Sequence, residues 1–145
     1  MPVQYNLKRF TDAQESKFKN AMREIRNGRK QTHWMWFIFP QIAGLGFSET
    51  SKFYAIKDTV EANLYLEHPV LGSRLIEISK ALLEIKTKTA NHIFGNPDDL
   101  KLKSCMTLFN SIQNTNPVFE AVLKKYFNGT KDVKTLQIIQ LLNSS

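Results

Sequence analysis

Two places in the chain hold side chains able to do chemistry. His33 opens the stretch HWMWFIFPQIAGLGFS, residues 33–48, and Asp98 is followed by Lys101, Lys103 and Ser104. An imidazole changes charge near neutral pH, so His33 could act as acid, base or oxyanion donor. The same residue also suits a hydrogen-bonded histidine at the edge of a core. On a helix it would share a face with Trp36 and Phe37. A carboxylate beside an amine and a hydroxyl is a workable catalytic set, which makes Asp98 and Lys101 the other catalytic candidates. The helix dipole alone accounts for carboxylates at Asp98 and Asp99 in a first turn. No nucleophile, base and orienting group follow one another at a defining spacing, so the reaction stays open. His68, before Pro69, suits a turn, and His92 a short surface helix.

Binding chemistry is more concentrated. The turn of Gly44, Leu45, Gly46, Phe47 and Ser48 has the parts of an anion site: glycines that let N–H groups turn inward, then a hydroxyl at a helix start. No lysine follows Gly46 where a phosphate loop requires one, and no strand precedes the turn as in a dinucleotide fingerprint. The glycines equally suit a sharp turn after a buried helix. Trp34 and Trp36, two residues apart on a helix, point about 200° from one another, so one of them belongs at the rim, where it could stack a base or a sugar. Arg74, in the first turns of a long helix, is a further candidate anion clamp.

These groups need elements to hold them. Thr11 with Gln14 predicts the start of a first helix, Phe18, Ala21, Met22 and Ile25 its apolar stripe, and Asn27-Gly28 its end. Thr32 to Phe39 is apolar without a period and fits a buried helix or a buried strand; with no strand partner elsewhere, a short helix ended by Pro40 is favoured. Ser48 caps a predicted helix holding Phe53, Tyr54 and Ile56, and Asp58 with Glu61 opens another that runs to His68-Pro69. Leu71, Leu75, Ile78, Leu82 and Ile85 give the longest clean period and predict a helix across the core. Thr89 caps a short turn that stops at Gly95. Asn96-Pro97 opens a helix burying Leu102, Met106 and Phe109. Asn116-Pro117 opens one burying Phe119, Val122, Leu123 and Tyr126, with Asn128-Gly129 as its end, and Asp132 begins a last one with Leu136, Ile139 and Leu142. The expectation is an all-α, single multihelical domain over residues 1–145, with about seven or eight short helices.

Composition agrees with a folded chain: 145 residues, 42% apolar and 23% charged, are not the profile of a disordered protein. The N-terminus lacks an apolar signal region, and the run from Trp34 to Phe39 is far shorter than the 18 or so residues that span a bilayer. A cytoplasmic protein that does not enter membranes is expected. Cys105 has no second cysteine, so it forms neither an internal disulfide nor a zinc cluster and suits a small buried apolar site. The net charge is +7, and residues 1–40 hold eight basic side chains against three acidic ones. Such a balance favours polyanions, either nucleic acid or a small anionic metabolite, though a solvated helix face has the same composition.

The same stretches carry a family resemblance. HWMWFIFPQIAGLGFS, then Ser51, Tyr54, Ala55 and Ile56, then HPVLGSRL and IFGNPDDLKLKSCMTLF, resemble in that order the uncharacterised bacterial DUF1810 family, whose members are sometimes labelled calpastatin. The resemblance implies an all-helical, single-domain cytosolic protein with no established activity and no known cofactor. The calpastatin label does not suit it, because that inhibitor is a disordered chain and this one has caps and apolar stripes. The recurring polar positions carried over are His33, Gln41, Ser48, Ser51 and Tyr54, followed by Arg74, Asp98, Lys101, Ser104 and Thr107. Cys105 stands where relatives often have serine, which argues against a shared thiol chemistry. The expected ligand site combines His33, Trp36, Gln41, Gly44, Gly46 and Ser48 with Ser51, Tyr54, Arg74 and Ser104, where the 33–54 segment meets the helix opening at Asp98. Nucleic-acid binding through the basic first helix and a helical interaction module without ligand are the alternatives.

Overall fold

The side-chain oxygens of Ser48, Asp58, Thr89 and Asp132 accept the backbone N–H groups of Ser51, Glu61, His92 and Thr135, so four helix starts lie where capping chemistry puts them. The computed structural model describes residues 4–144 and, among them, ten helices. They are α1 Lys8–Glu15, α2 Phe18–Arg26, α3 Met35–Ile38, α4 Glu49–Tyr54, α5 Thr59–Glu67, α6 Leu71–Glu84, α7 Ala90–Phe94, α8 Asp98–Asn110, α9 Val118–Phe127 and α10 Val133–Asn143. Seven have seven residues or more, and the total exceeds the number expected because the first helix is divided into α1 and α2 and the turn after Thr89 is the short helix α7. No helix among the described residues is long and apolar enough to cross a membrane.

Helix α6 is the spine. Its Leu71, Leu75, Ile78 and Leu82 are buried, and it packs against α2, α5 and α9. Helix α8 lies beside α9, α7, α5 and α10, with Leu102, Met106 and Phe109 in the same core and Cys105 buried among them. Burial pushes the Cys105 thiol well up, so it stays protonated as an apolar filler. Helix α3 packs between α1 and α4 at the edge of this core.

Several expectations need correction. The first helix is two, interrupted at Ser16 and Lys17; Thr11 does not cap but donates its hydroxyl to the Lys8 carbonyl inside α1. Helix α3 is only four residues long, so His33 and Trp34 precede it and His33 does not share its face. Helix α4 ends at Tyr54, and Ile56 instead forms a single parallel bridge with Ile42. On α10 only Thr135 and Ile139 are buried, and Leu136 and Leu142 are exposed.

Three buried polar clusters hold the loops in place. The Glu24 carboxylate is 2% exposed and accepts the N–H groups of Gln31 and Thr32, the Thr32 hydroxyl, the Trp34 indole and the Asn20 amide. The loop between α2 and α3 is therefore wrapped around one side chain. Arg9 forks onto Glu61 at 3.0 and 3.1 Å and donates to the carbonyls of Phe53 and Ala55. Gln14 bridges the Phe37 carbonyl and the Tyr65 hydroxyl.

Candidate functional site

The site begins where the backbone is pinned. Ala43 donates to the Ile56 carbonyl and Ile56 to the Gln41 carbonyl, both at 2.8 Å, while the side chains of Ile42 and Ile56 are sunk in the core. Residues 43–55 form a closed loop above this clasp, made of the glycine turn and α4. Beneath it lies a cavity of about 100 Å³, walled by Trp36, Gln41, Ser51, Lys52, Tyr54 and the backbone of residues 42–46.

Local chemistry explains its shape. Gly44 has φ +106°, a conformation that side chains strongly disfavour. At Gly46 an added Cβ would lie 2.6 Å from the Ser51 oxygen and 2.7 Å from its Cβ. Ser51 cannot retreat freely, because it is buried and its hydroxyl donates to the Ser48 carbonyl at 2.8 Å. Gly46→Ala is therefore expected to destabilise the fold by about 1–3 kcal/mol, as overpacking does, with a matching fall in the denaturant midpoint. A midpoint unchanged from the parent would show that the turn adapts without cost.

Gln41 is the unusual member. It is only 9% exposed, lines the cavity, and its carboxamide has no hydrogen-bond partner among the described residues. Its polar atoms still keep some access to solvent, since no fully sealed polar atom lacks a partner. Buried carboxamides normally have partners, so this one has donor and acceptor capacity left for an occupant. The backbone N–H groups of Gly44, Leu45 and Gly46 are likewise without acceptors among the described residues.

Trp34 and Trp36 divide as the spacing predicts: Trp34 is buried and bonded to Glu24, while Trp36 is half-buried at the cavity wall. The Lys101 ammonium sits 4.0 Å from the centre of the Trp36 ring and bonds Asp98 at 3.0 Å. Lys30 approaches Asp98 from the other side at 2.9 Å, and its side chain is 9% exposed. Burial pushes the Asp98 carboxyl up, but the hydrogen bonds and charges of Lys30 and Lys101 outweigh it and hold the group below its ordinary range. Asp98 is thus ionised at neutral pH, a structural counter-ion and a poor general acid.

The remaining candidates lie apart from the cavity. His33 is exposed, and its imidazole has no partner among the described residues. Ser48 caps α4 rather than lining the space. Arg74 stands 5.3 Å over the Phe18 ring and 3.4 Å from the Gln14 amide oxygen. Ser104 donates to the Leu100 carbonyl, and Thr107 accepts the Asp132 N–H, tying the start of α10 to α8. Sequence patterning missed Lys52 in the wall and the exposed Phe53, 56% accessible, whose ring lies 4.8 Å from that of Tyr54; Phe47 in the turn next to Gly46 is 82% exposed. The exposure of Phe53 was not legible, because an apolar residue in a capped helix reads as core. With no carboxylate in its wall among the described residues, the cavity is suited to binding a polar or anionic group.

A family model described as protein of unknown function (DUF1810) matches residues 4–139. The crystal structure of the conserved hypothetical protein Rv1873 from Mycobacterium tuberculosis superposes with a TM-score of 0.91 at 43% identity, covering 92% of this chain and 96% of that one. No protein of curated function matches the chain.

Proposed function

The chain belongs to the DUF1810 family of proteins of unknown function, and from that premise we propose that it binds a small anionic, nucleotide-like metabolite whose charged head enters the cavity under α4. The observation that carries the reading is the unpartnered carboxamide of Gln41 inside it. The amide of Gln41 and the free N–H groups of the glycine turn are donors, and Lys52 adds charge. A volume of about 100 Å³ is below the roughly 300–1,000 Å³ of pockets that enclose a whole ligand, so it accommodates a head group only. The body of the ligand rests outside, where the exposed rings of Phe47 and Phe53 flank the wall and Trp36 lies under Lys101.

Thermal melts with inorganic phosphate and with a nucleoside monophosphate test this. Ligand at about a hundred times its dissociation constant stabilises the native state by about 2.7 kcal/mol, and Gln41→Leu is expected to weaken that affinity about tenfold by removing a hydrogen bond to a charged group. Melting temperatures that do not respond to either ligand contradict the proposal.

Nucleic-acid binding draws less support from the geometry. Of the basic side chains in residues 1–40, Arg9 and Lys30 are buried in ion pairs with Glu61 and Asp98, while Lys8 and Arg26 face Asp12 and Glu77. Lys17, Lys19, Arg23 and Arg29 are the exposed ones without a carboxylate partner among the described residues.

A further inference from the structure

A second, larger space lies on another face. A groove of about 870 Å³ runs between α5, the residues 111–116 that follow α8, and the end of α10. It falls in the roughly 300–1,000 Å³ range of sites that take up a ligand. Its lining differs in chemistry from the cavity under α4. Five carboxamides, Asn63, Gln113, Asn114, Asn116 and Asn143, stand around a floor of Leu66, Ile76, Ile112 and Ile139. Glu67 is the one charged lining residue, in a chain with twenty lysines and arginines.

We infer that this groove is a docking site for an extended, uncharged peptide segment with aliphatic side chains. Three observations carry it. First, Gln113, Asn114 and Asn143 have no side-chain partner among the described residues, and each carboxamide pairs a donor with an acceptor, matching the N–H and C=O of a peptide group. An extended chain turns alternate side chains to one face, which here meets the aliphatic floor. Second, the two helices that supply lining residues also carry exposed apolar side chains, Val60 and Leu64 on α5 and Leu136 on α10, the last three residues before the lining Ile139. Third, the lining holds no cation among the described residues, which disfavours anionic ligands, and no aromatic ring among them, which leaves a sugar no flat face to stack on.

Selection of a random-peptide display library on the full chain tests the inference. Neutral, aliphatic sequences should be enriched, and a synthetic peptide of the winning sequence should shift the amide signals of Asn63, Leu66, Gln113, Ile139 and Asn143. Asn63→Trp, which fills the groove from an exposed position, should weaken that peptide at least tenfold, while Phe53→Ala beside the other cavity should leave it unchanged. Should Asn63→Trp melt early, Gln113→Lys and Asn143→Lys provide the same test by bringing charge into the groove. No enriched sequence, shifts mapping elsewhere, binding indifferent to all these variants, or neutral oligosaccharides shifting the same signals while peptides do not, would each overturn it.

Discussion

An Arg9→Met variant is expected to lose about 3–5 kcal/mol of stability, the range for removing one member of a buried ion pair. Glu61 is fully buried, and without the guanidinium its carboxylate keeps only the Lys57 N–H at 2.8 Å. The same substitution frees the carbonyls of Phe53 and Ala55, which Arg9 holds at 2.8 and 2.9 Å. Those residues end α4, so the loss should spread to the cavity wall and weaken ligand binding as well. Chemical denaturation of the variant, together with Arg9→Met/Glu61→Leu, separates the two effects. The neutral pair should recover much of the stability, since a buried ion pair is costly mainly when half of it remains. A single variant within about 1 kcal/mol of the parent would mean that Glu61 finds water instead.

Glu24→Gln is the second large effect. One carboxylate receives five donors from four residues, and an amide in its place turns an NH₂ toward some of them, leaving buried N–H groups unsatisfied. A loss of about 3 kcal/mol follows, equivalent to roughly 10 °C in melting temperature for a chain of this size. The pH dependence is specific. Burial pushes the Glu24 carboxyl up, but bonds from the Thr32 hydroxyl, the Gln31 and Thr32 N–H groups and the Trp34 indole bring it down from 4.5 to about 2. Because the folded state holds the proton less tightly than the unfolded one, this stabilisation is fully present above about pH 4.5 and is lost as pH falls toward 2. The parent should therefore lose stability across that window more steeply than Glu24→Gln, and parallel curves would show that Glu24 is not the group responsible.

The sequence was most legible where structure is local. Ser48, Asp58, Thr89 and Asp132 cap their helices because the bond each makes spans three residues. Asn128, at φ +56°, ends α9 for a similarly local reason. The break between α1 and α2 is hidden, since Phe10, Gln14, Ala21 and Ile25 are buried at spacings that one continuous helix would also produce. The charged core was hidden for another reason. Arg9 and Glu61 are 52 residues apart, and charged side chains belong to the surface unless a partner is known.

The site divides along the same line. Gly44, Gly46, Ser51 and Tyr54 lie within the loop closed by the Ile42–Ile56 bridge, and Gln41 at its foot and Trp36 on the preceding α3 complete the cavity wall within nineteen residues of sequence, 36–54. Lys101 stands over the Trp36 ring of the cavity wall, and the mutual neutralisation of Asp98, Lys101 and Lys30 depends on a contact across 68 residues of sequence separation between Lys30 and Asp98 that no local pattern encodes. Arg74 belongs to the Gln14 and Phe18 neighbourhood, which its place in a long helix does not disclose.

The central claim is that the carboxamide of Gln41 and the glycine turn receive an anionic head group. Its most direct test is an amide-resolved NMR titration of the parent and Gln41→Leu with inorganic phosphate. Saturable shifts centred on Gln41, Gly44, Leu45 and Gly46 in the parent, weakened about tenfold in the variant, are the expected result. Shifts that do not saturate, that centre elsewhere, or that persist unchanged in Gln41→Leu would contradict it.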